Sequence, residues 1–309
     1  MTPPGGAEQL SFAEQAYRGE SAPWRAVLAL LFILPGTYLL VYLTVLAYSQ
    51  LGIGAALVLL TMPEFGSRGL VDEFLAFLFL MISIIAVLPL MRLVLPWLHR
   101  RPWLSFVTAR PRFDWALFAQ SFGAMLALAG GTLLLTLWLS PGELHWTAKW
   151  RSVALFAPFA LVLLSLQVLT EEVFFRGYLM QLTGRVARPW LIRLVVPALL
   201  FAAAHSANPE ASYDFFWASA NYLLLALYLG AISLKGDGLE ASAGLHLANN
   251  LYVALVVGLP VSVSPGPTLW LSGPPDFKMS FLEMPPLLAL HYMFIFWLAP
   301  KIWPHAKQR

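Results

Sequence analysis

The sequence contains no cysteine, and only 11% of its residues are charged. Without cysteine the chain has no disulfide framework, no thiolate nucleophile and no thiolate metal site. Ordinary soluble domains are about 25% charged and about 45–50% apolar, whereas this chain is 59% hydrophobic with a mean hydropathy of +0.72. The composition excludes a water-soluble domain, and because no block of like charges is present we expect no nucleic-acid partner.

Long apolar runs take the place of the missing charge. A helix needs about 20 mostly apolar residues to cross a hydrocarbon core of about 30 Å, and it satisfies its backbone hydrogen bonds internally. Runs of this length predict an all-α, polytopic membrane helical bundle with about eight transmembrane helices in contact with lipid. The predicted spans, in order, are about 26–48, 74–97, 115–139, 153–182, 190–206, 214–234, 239–259 and 285–303.

Basic residues accumulate in alternate connections, as the positive-inside rule predicts for cytoplasmic loops. We therefore expect both termini in the cytoplasm. Because the sequence shows no organelle retention signal, we interpret the chain as an integral plasma-membrane protein of prokaryotic origin. The long connection 260–284 is then expected on the outer face, with irregular structure. The predicted cytoplasmic side carries Arg18, Arg25, Arg100, Arg101, Arg110, Arg112, Arg185, Arg188, Lys235, Lys301, Lys307 and Arg309, and the opposite side carries Arg68, Lys149, Arg151 and Lys278.

Two carboxylates interrupt the fourth predicted span. Glu171 and Glu172 lie far from either end of this apolar run, where an ionised carboxylate costs at least about 2.5 kcal/mol. The other acidic residues fall in tails, connections or span ends that water is expected to reach. Such intramembrane carboxylates are functional candidates, although Glu172 has a second interpretation, since Arg176 lies one helical turn later and can pair with it.

Three further polar residues are predicted to meet these carboxylates. If the fourth and fifth spans form an antiparallel hairpin that turns near Arg188, Glu171 and His205 both lie about 25 Å from the turn at 1.5 Å per residue. His246 lies about two turns inside the seventh span, and Asn250 follows at the spacing that shares a helix face. Glu171, His205, His246 and Asn250 should therefore converge.

The chemistry open to such a cluster is narrow. With no cysteine and no serine beside a suitable base, the best nucleophile is water, activated by a carboxylate and a histidine. An imidazole and an amide can stabilise the oxyanion that forms when a carbonyl is attacked. These groups favour peptide hydrolysis.

A zinc-dependent version of this chemistry is the alternative. Glu171, His205 and His246 form a His₂Glu set, the ligand number of catalytic zinc sites. The chain has no His-Glu-x-x-His helix, however, and Asn250 is a poor zinc ligand, so chemistry without a metal or other cofactor is favoured.

Three short motifs stand in order on the fourth, fifth and seventh predicted spans. They are Glu-Glu-x-x-x-Arg at Glu171–Arg176, Phe-x-x-x-His at Phe201–His205 and His-x-x-x-Asn at His246–Asn250. Together they resemble the motifs of the CAAX protease and bacteriocin-processing (CPBP) family of intramembrane proteases, which includes the type 2 CAAX prenyl endopeptidases.

The resemblance implies an eight-helix bundle with a cavity open to the cytoplasm and the lipid, and a membrane-associated peptide or protein as substrate. It does not specify the substrate or an oligomeric state. The implied roles are water activation by Glu171 with His205, oxyanion stabilisation by His246 and Asn250, support by Glu172 and Arg176, and packing by Phe201.

The chain divides by these features into four segments. Residues 1–25 are predicted to form a cytoplasmic N-terminal tail, and 26–149 the first transmembrane helices with a basic interfacial segment. Residues 150–260 form the predicted CPBP-like catalytic core. The outer loop, the last transmembrane helix and a basic tail occupy 261–309.

Two other functions are compatible with buried polar residues. A non-catalytic membrane scaffold of the same family is one, although a degenerate relative is expected to lose Glu171 or a histidine first. A proton-coupled carrier is the other, but carriers often contain internal repeats, and no second copy of the polar cluster is present. His291 stands apart in the eighth span and is interpreted as a packing residue.

Overall fold

The computed structural model describes residues 10–20, 22–50, 70–186, 189–264 and 266–302. The turn predicted near Arg188 lies outside these ranges, as do Arg68, Lys307 and Arg309. Within the ranges the protein is all-α, as predicted. The helices are α1 (Pro23–Gln50), α2 (Leu70–Ile85), α3 (Val87–His99), α4 (Trp115–Leu139), α5 (Trp150–Glu172), α6 (Met180–Val186), α7 (Trp190–His205), α8 (Phe215–Lys235), α9 (Glu240–Leu255), α10 (Phe277–Met293) and α11 (Ala299–Ile302).

Short helical segments complete the described elements. Two are π-helical, and each continues one α-helix into the next: Val173–Leu179 joins α5 to α6, and Phe294–Leu298 joins α10 to α11. The 3₁₀ segments are Phe12–Arg18, Trp103–Phe106 and Pro209–Ser212.

Six helical stretches in the described ranges are long and apolar enough to cross a membrane, which identifies an integral membrane protein. Each corresponds to one of the predicted spans. Their outward-facing side chains are apolar, as lipid contact requires: Trp138 on α4 is 77% exposed. The stretches are Pro23–Leu40, Phe77–His99, Trp115–Leu139, Trp150–Arg185, Phe215–Lys235 and Phe277–Ile302.

The two remaining predicted spans are shorter helices. Helices α7 and α9 have 16 residues each, or about 24 Å at 1.5 Å per residue, which is less than the hydrocarbon thickness of about 30 Å. Helix α9 is buried along most of its length. It tolerates polar residues because other helices, not lipid, surround it. The prediction of 239–259 was too long, since the chain leaves the helix after Leu255 and forms a strand at Val257–Gly258.

Helix α9 packs between α4 and α5. Leu247 and Leu251 of α9 join Phe156, Leu164 and Val168 of α5 in one buried apolar cluster. On its other side, Gly244 lies against the backbone of α4 at Phe118. Small residues at such crossings allow close backbone approach within membranes. The crossing positions the polar residues that follow Gly244 on α9.

One end of the bundle carries a small β-sheet, and we call residues 140–146, 206–214 and 256–276 the sheet end. Strand β3 (Trp270–Ser272) pairs antiparallel with β1 (Leu144–Trp146) and parallel with β2 (Val257–Gly258). The expectation that 260–284 is irregular was therefore wrong in part. This segment contributes a strand and the first turns of α10.

The opposite end carries the basic segments, and we call residues 10–20, 99–113, 180–186, 189–193 and 235–240 the arginine-rich end. Phe12 and Phe106 are fully buried here. The backbones of Thr108 and Gly238 form an isolated antiparallel β-bridge. Residues 12–18 and 99–113 therefore pack into the bundle and do not lie as a free tail or as a surface helix.

The α4–α9 crossing supplies a test of the fold. A Cβ added at Gly244 would overlap the Phe118 carbonyl oxygen and lie 3.0 Å from the Phe122 nitrogen. We expect Gly244→Ala to destabilise the protein by about 1–3 kcal/mol, the usual effect of overpacking, in thermal unfolding in detergent.

Gly123→Ala on α4 is the matched control, because a Cβ there meets nothing within 4 Å. It should be neutral or stabilise the protein by up to about 1 kcal/mol through helix propensity. Equal unfolding temperatures for the two variants would contradict the close crossing.

Candidate active site

The site begins where α5 changes from α-helical to π-helical geometry. Glu171 and Glu172 are the last residues of α5, and the π segment Val173–Leu179 follows directly. Such π turns are rare and occur frequently at functional sites. Arg176 within this segment places Nη1 2.9 Å from Glu172 Oε1, so the predicted ion pair forms.

Glu172 joins three parts of the fold through one oxygen. Its Oε1 accepts a hydrogen bond from Arg176 and lies 2.9 Å from Nδ1 of His246 on α9. Arg176 also donates to the Ala226 carbonyl of α8 and lies 4.5 Å above the ring of Phe201 on α7. Glu172 is fully buried and Arg176 is 2% exposed. A buried charge pair that lost one partner would leave the other charge uncompensated, so these contacts hold the helices in register.

Glu171 points in a different direction and meets both predicted histidines. Its Oε2 lies 3.7 Å from Nε2 of His205 and 3.6 Å from Nε2 of His246. This oxygen is buried and has no hydrogen-bond partner among the described residues. The convergence of Glu171, His205 and His246 expected from the sequence is therefore present.

The contacts of Nδ1 in each histidine determine whether its Nε2, the nitrogen that faces Glu171, carries a hydrogen. Nδ1 of His205 lies 2.8 Å from the Phe201 carbonyl oxygen, which only accepts hydrogen bonds. Nδ1 of His246 faces the Glu172 carboxylate, also an acceptor. Both Nδ1 atoms therefore carry hydrogen, so in a neutral ring the Nε2 lone pair points towards Glu171, whereas a second proton on either ring would make its Nε2 a donor to this carboxylate. When both rings are neutral, three acceptor atoms face one another, and a proton donor between them would complete the arrangement.

Phe201 holds His205 in this orientation. The two rings stack with their centroids 3.9 Å apart and an interplanar angle of 17°. Phe201 is 1% exposed and also meets His246 edge-on. It therefore packs against the site, as the resemblance implied.

Asn250 lies one turn after His246 and contacts a residue that sequence reasoning missed. Its Nδ2 donates to Oε1 of Gln167 at 3.0 Å, and its Oδ1 accepts from Asn249 at 3.3 Å. An amide nitrogen has two hydrogens, so one remains for another acceptor. Gln167 had a signal in the sequence, because it is a polar residue one turn before Glu171 in an apolar run.

A cavity of about 460 Å³ borders all four predicted polar residues. Its walls are largely apolar and come from α2, α5, the π segment that follows α5, α7, α8, α9, the start of α10 and the connections 206–214 and 259–264. The side chains that carry polar groups into it are Gln167, Glu171, His205, Asn208, Glu210, Tyr222, His246, Asn249, Asn250, Ser262 and Ser264.

Glu210 is a further carboxylate at this cavity. It is only 7% exposed, accepts from Tyr222 at 2.9 Å and accepts from the backbone nitrogen of Val263 at 2.8 Å. Glu240 at the start of α9 is fully buried as well. The expectation that water reaches every acidic residue except Glu171 and Glu172 was therefore wrong. Connections that fold back onto the bundle bury residues such as Glu210, which were expected to be exposed to water because they lie outside the predicted spans.

The cavity lies towards the sheet end of the bundle. Residues 208–210 and 259–264 border it, and no residue of the arginine-rich end does. The resemblance implied a cavity open to the cytoplasm, the side that the charge pattern assigns to the arginine-rich end. The connections that border the active-site cavity, 208–210 and 259–264, instead lie at the sheet end.

The described ranges also bear on the zinc alternative and on His291. No three His, Asp or Glu side chains there are arranged to hold a metal ion, and absence of a metal requirement stays a prediction. His291 is fully buried, with Ser121 at one ring nitrogen and Tyr228 at the other. This contact set agrees with a packing residue.

Comparison with known proteins agrees with the motifs. Residues 152–252 match the family described as Type II CAAX prenyl endopeptidase Rce1-like. This segment contains all three motifs, and the predicted resemblance is confirmed. The chain is also 29% identical over 194 residues to YyaK of Bacillus subtilis (strain 168), an uncharacterized protein. That alignment covers 62% of this chain and 63% of YyaK, which is less than two thirds of the relative. No solved structure matches the chain.

The buried Glu172 contacts predict a large effect of their removal. We expect Glu172→Ala to lower the free energy of unfolding by about 3–5 kcal/mol, because Arg176 would remain charged and unpaired in the interior. Chemical or thermal unfolding in detergent measures this change.

Glu20→Ala is the comparison variant, since Glu20 is an exposed residue that pairs with Arg100 and with Arg25 at the end of the bundle. Exposed ion pairs contribute about 0–1 kcal/mol. A loss of similar size in both variants would argue against Glu172 as the residue that holds the helices together.

Proposed function

Because residues 152–252 match the Type II CAAX prenyl endopeptidase Rce1-like family, we propose that this integral membrane protein is an intramembrane endopeptidase. Its substrates would be membrane-associated proteins or peptides. One observation carries the proposal: the unpartnered Oε2 of Glu171 faces two imidazole nitrogens at 3.6 and 3.7 Å beside a cavity. The match to a bacterial protein agrees with a prokaryotic origin.

With both rings neutral, one bound water molecule can donate to two of these three acceptors. It donates one hydrogen to Glu171 Oε2 and the other to Nε2 of His205. In this position the carboxylate acts as general base, and His205 orients the oxygen lone pair towards the substrate. General-base catalysis by a positioned side chain contributes about 10²–10⁴-fold.

The remaining steps use the same groups. Glu171 takes the proton as the water oxygen attacks the carbonyl carbon, and the carbonyl oxygen becomes an oxyanion. The free hydrogen of the Asn250 amide is available to stabilise that charge. Glu171 then passes its proton to the amide nitrogen, the C–N bond breaks, and a carboxylic acid and an amine leave.

His246 has a conditional role in this scheme. Its neutral ring keeps the hydrogen on Nδ1 towards Glu172, so its Nε2 donates to an oxyanion only in the doubly protonated form. Asn250 therefore supplies the donor that is independent of protonation state. Glu172 and Arg176 position His246 and do not touch the reacting atoms.

Two alternatives share the same residues. A zinc-dependent protease would use the lone pairs of Glu171, His205 and His246 as ligands. A non-catalytic scaffold would retain the fold without turnover. The four polar residues of the predicted site are all present, which supports the enzyme over the scaffold.

Replacement of Glu171 tests the catalytic proposal. We expect Glu171→Gln to leave the fold intact, because glutamine keeps the size and polar character of the side chain. Cleavage should fall by at least about 10²–10⁴-fold, the contribution of a general base. The readout is peptide fragments released from membranes at matched expression, followed by mass spectrometry.

Glu283→Gln is the control, since Glu283 is an exposed carboxylate on α10 remote from the cavity lining. Its fragment profile should equal that of the unmodified protein. Identical profiles for the unmodified protein and folded Glu171→Gln would favour the scaffold.

Chelation separates the glutamate mechanism from its zinc-dependent alternative. We expect purified protein treated with a strong chelator, then desalted, to keep its full cleavage rate. Loss of cleavage that added zinc restores would contradict metal-free catalysis and support the zinc alternative.

A further inference from the structure

We propose that this enzyme receives its substrate from the non-cytoplasmic side of the membrane, through the sheet end. The inference rests on the proposed peptidase function and names its substrate class. The substrates are polypeptide segments that emerge at the outer surface of the membrane, as in exported or membrane-anchored chains, and not tails displayed in the cytoplasm.

The connections beside Glu171 provide the first argument. His205 is the last residue of α7, and the chain continues directly into the cavity-lining residues Asn208 and Glu210. Glu210 accepts from Val263 of the second connection, 259–264, and so holds it beside the cavity. The polar side chains of Asn208, Ser262 and Ser264 line this part of the cavity. A polypeptide that enters between these connections meets polar groups first and Glu171 deeper in.

The interior provides the second argument, because packed side chains separate Glu171 from the arginine-rich end. An apolar cavity of about 660 Å³ does border that end, lined by Trp103, Leu104 and Phe113 among others, but its lining includes none of the four polar residues of the predicted site. Arg176, Tyr178 and Phe201 are each at most 2% exposed, and Phe175 is 8% exposed. Phe175 and Phe201 meet edge-on with their centroids 5.1 Å apart. Beyond them, Phe106 packs against Tyr178. A substrate approaching from the arginine-rich end would have to displace this buried core.

The charge pattern provides the third argument, since it assigns a side to each end. Lysine and arginine concentrate in cytoplasmic connections. The described basic residues of the arginine-rich end are Arg18, Arg100, Arg101, Arg110, Arg112, Arg185, Arg193 and Lys235, whereas those near the sheet end are Lys149, Arg151 and Lys278. The arginine-rich end therefore faces the cytoplasm, and the cavity lies towards the opposite surface.

Because the chain lacks cysteine, single cysteines can report the side of each end. Gly142→Cys at the sheet end suits this purpose, since a Cβ there meets nothing within 4 Å. Pro111→Cys reports the arginine-rich end, and both positions are exposed. A membrane-impermeant maleimide should label Gly142→Cys in spheroplasts and Pro111→Cys only in inside-out vesicles. The reverse pattern would overturn the proposal.

A third variant connects this orientation to the active site. Ser264→Cys places a thiol on the cavity lining at a residue that the proposed mechanism does not use. Labelling it in spheroplasts with a bulky impermeant maleimide should reduce cleavage to the level of Glu171→Gln membranes, while labelled Gly142→Cys keeps full activity. Unchanged cleavage after complete labelling of Ser264→Cys would overturn entry through the sheet end.

The two proposals fail in different ways. If cleavage does not depend on Glu171, both the proposed peptidase function and the proposed substrate class are wrong. The labelling of Gly142→Cys and Pro111→Cys still reports the orientation of the protein in that case. If cleavage depends on Glu171 but the labelling pattern is reversed, the peptidase stands and only the side of substrate entry is wrong.

Discussion

The contacts of one buried carboxylate, that of Glu172, join the helices at the centre of this bundle. Glu172 is fully buried and contacts Arg176 of the π segment and His246 of α9 through the same oxygen. Arg176 extends the contact to α8 through the Ala226 carbonyl and to α7 through the Phe201 ring. An unpaired charge at this depth would cost several kcal/mol, so the contact set favours the helix arrangement that completes it.

This constraint separates the roles of two adjacent glutamates. Successive residues on a helix point about 100° apart, so Glu172 faces its partners in the core while Glu171 faces the cavity. The Glu172 carboxylate accepts a hydrogen bond from Nδ1 of His246, and the Phe201 carbonyl accepts one from Nδ1 of His205. Both remaining Nε2 atoms are directed at Glu171 as a consequence. The supporting contacts thus prepare the water-binding geometry on which the proposed chemistry depends.

The position of the cavity connects this geometry to the membrane. The same helices that bring Glu171 and His205 together end in the connections that border the cavity, and Glu210 ties two of those connections to each other. Polar side chains of these connections line one side of the cavity, and the buried aromatic residues Phe175, Phe201 and Tyr178 lie towards the other end, an arrangement that supports the proposed entry through the sheet end. In this arrangement the fold, and not the three motifs, selects which part of a substrate can reach Glu171.

The sequence by itself determined the membrane class, most helix positions and the convergence of Glu171, His205 and His246. Hydrophobic length and helical spacing are local properties, and lipid permits few alternatives to a helix. The hydrogen bond between Gln167 and Asn250, the position of Glu210 at the cavity and the burial of Glu240 became visible only in the tertiary structure. These residues owe their surroundings to contacts between distant segments, such as Val263 with Glu210 and Asn250 with Gln167. The direction of the cavity has the same origin, because it depends on how connections fold over the helix ends, which neither hydropathy nor motif spacing encodes.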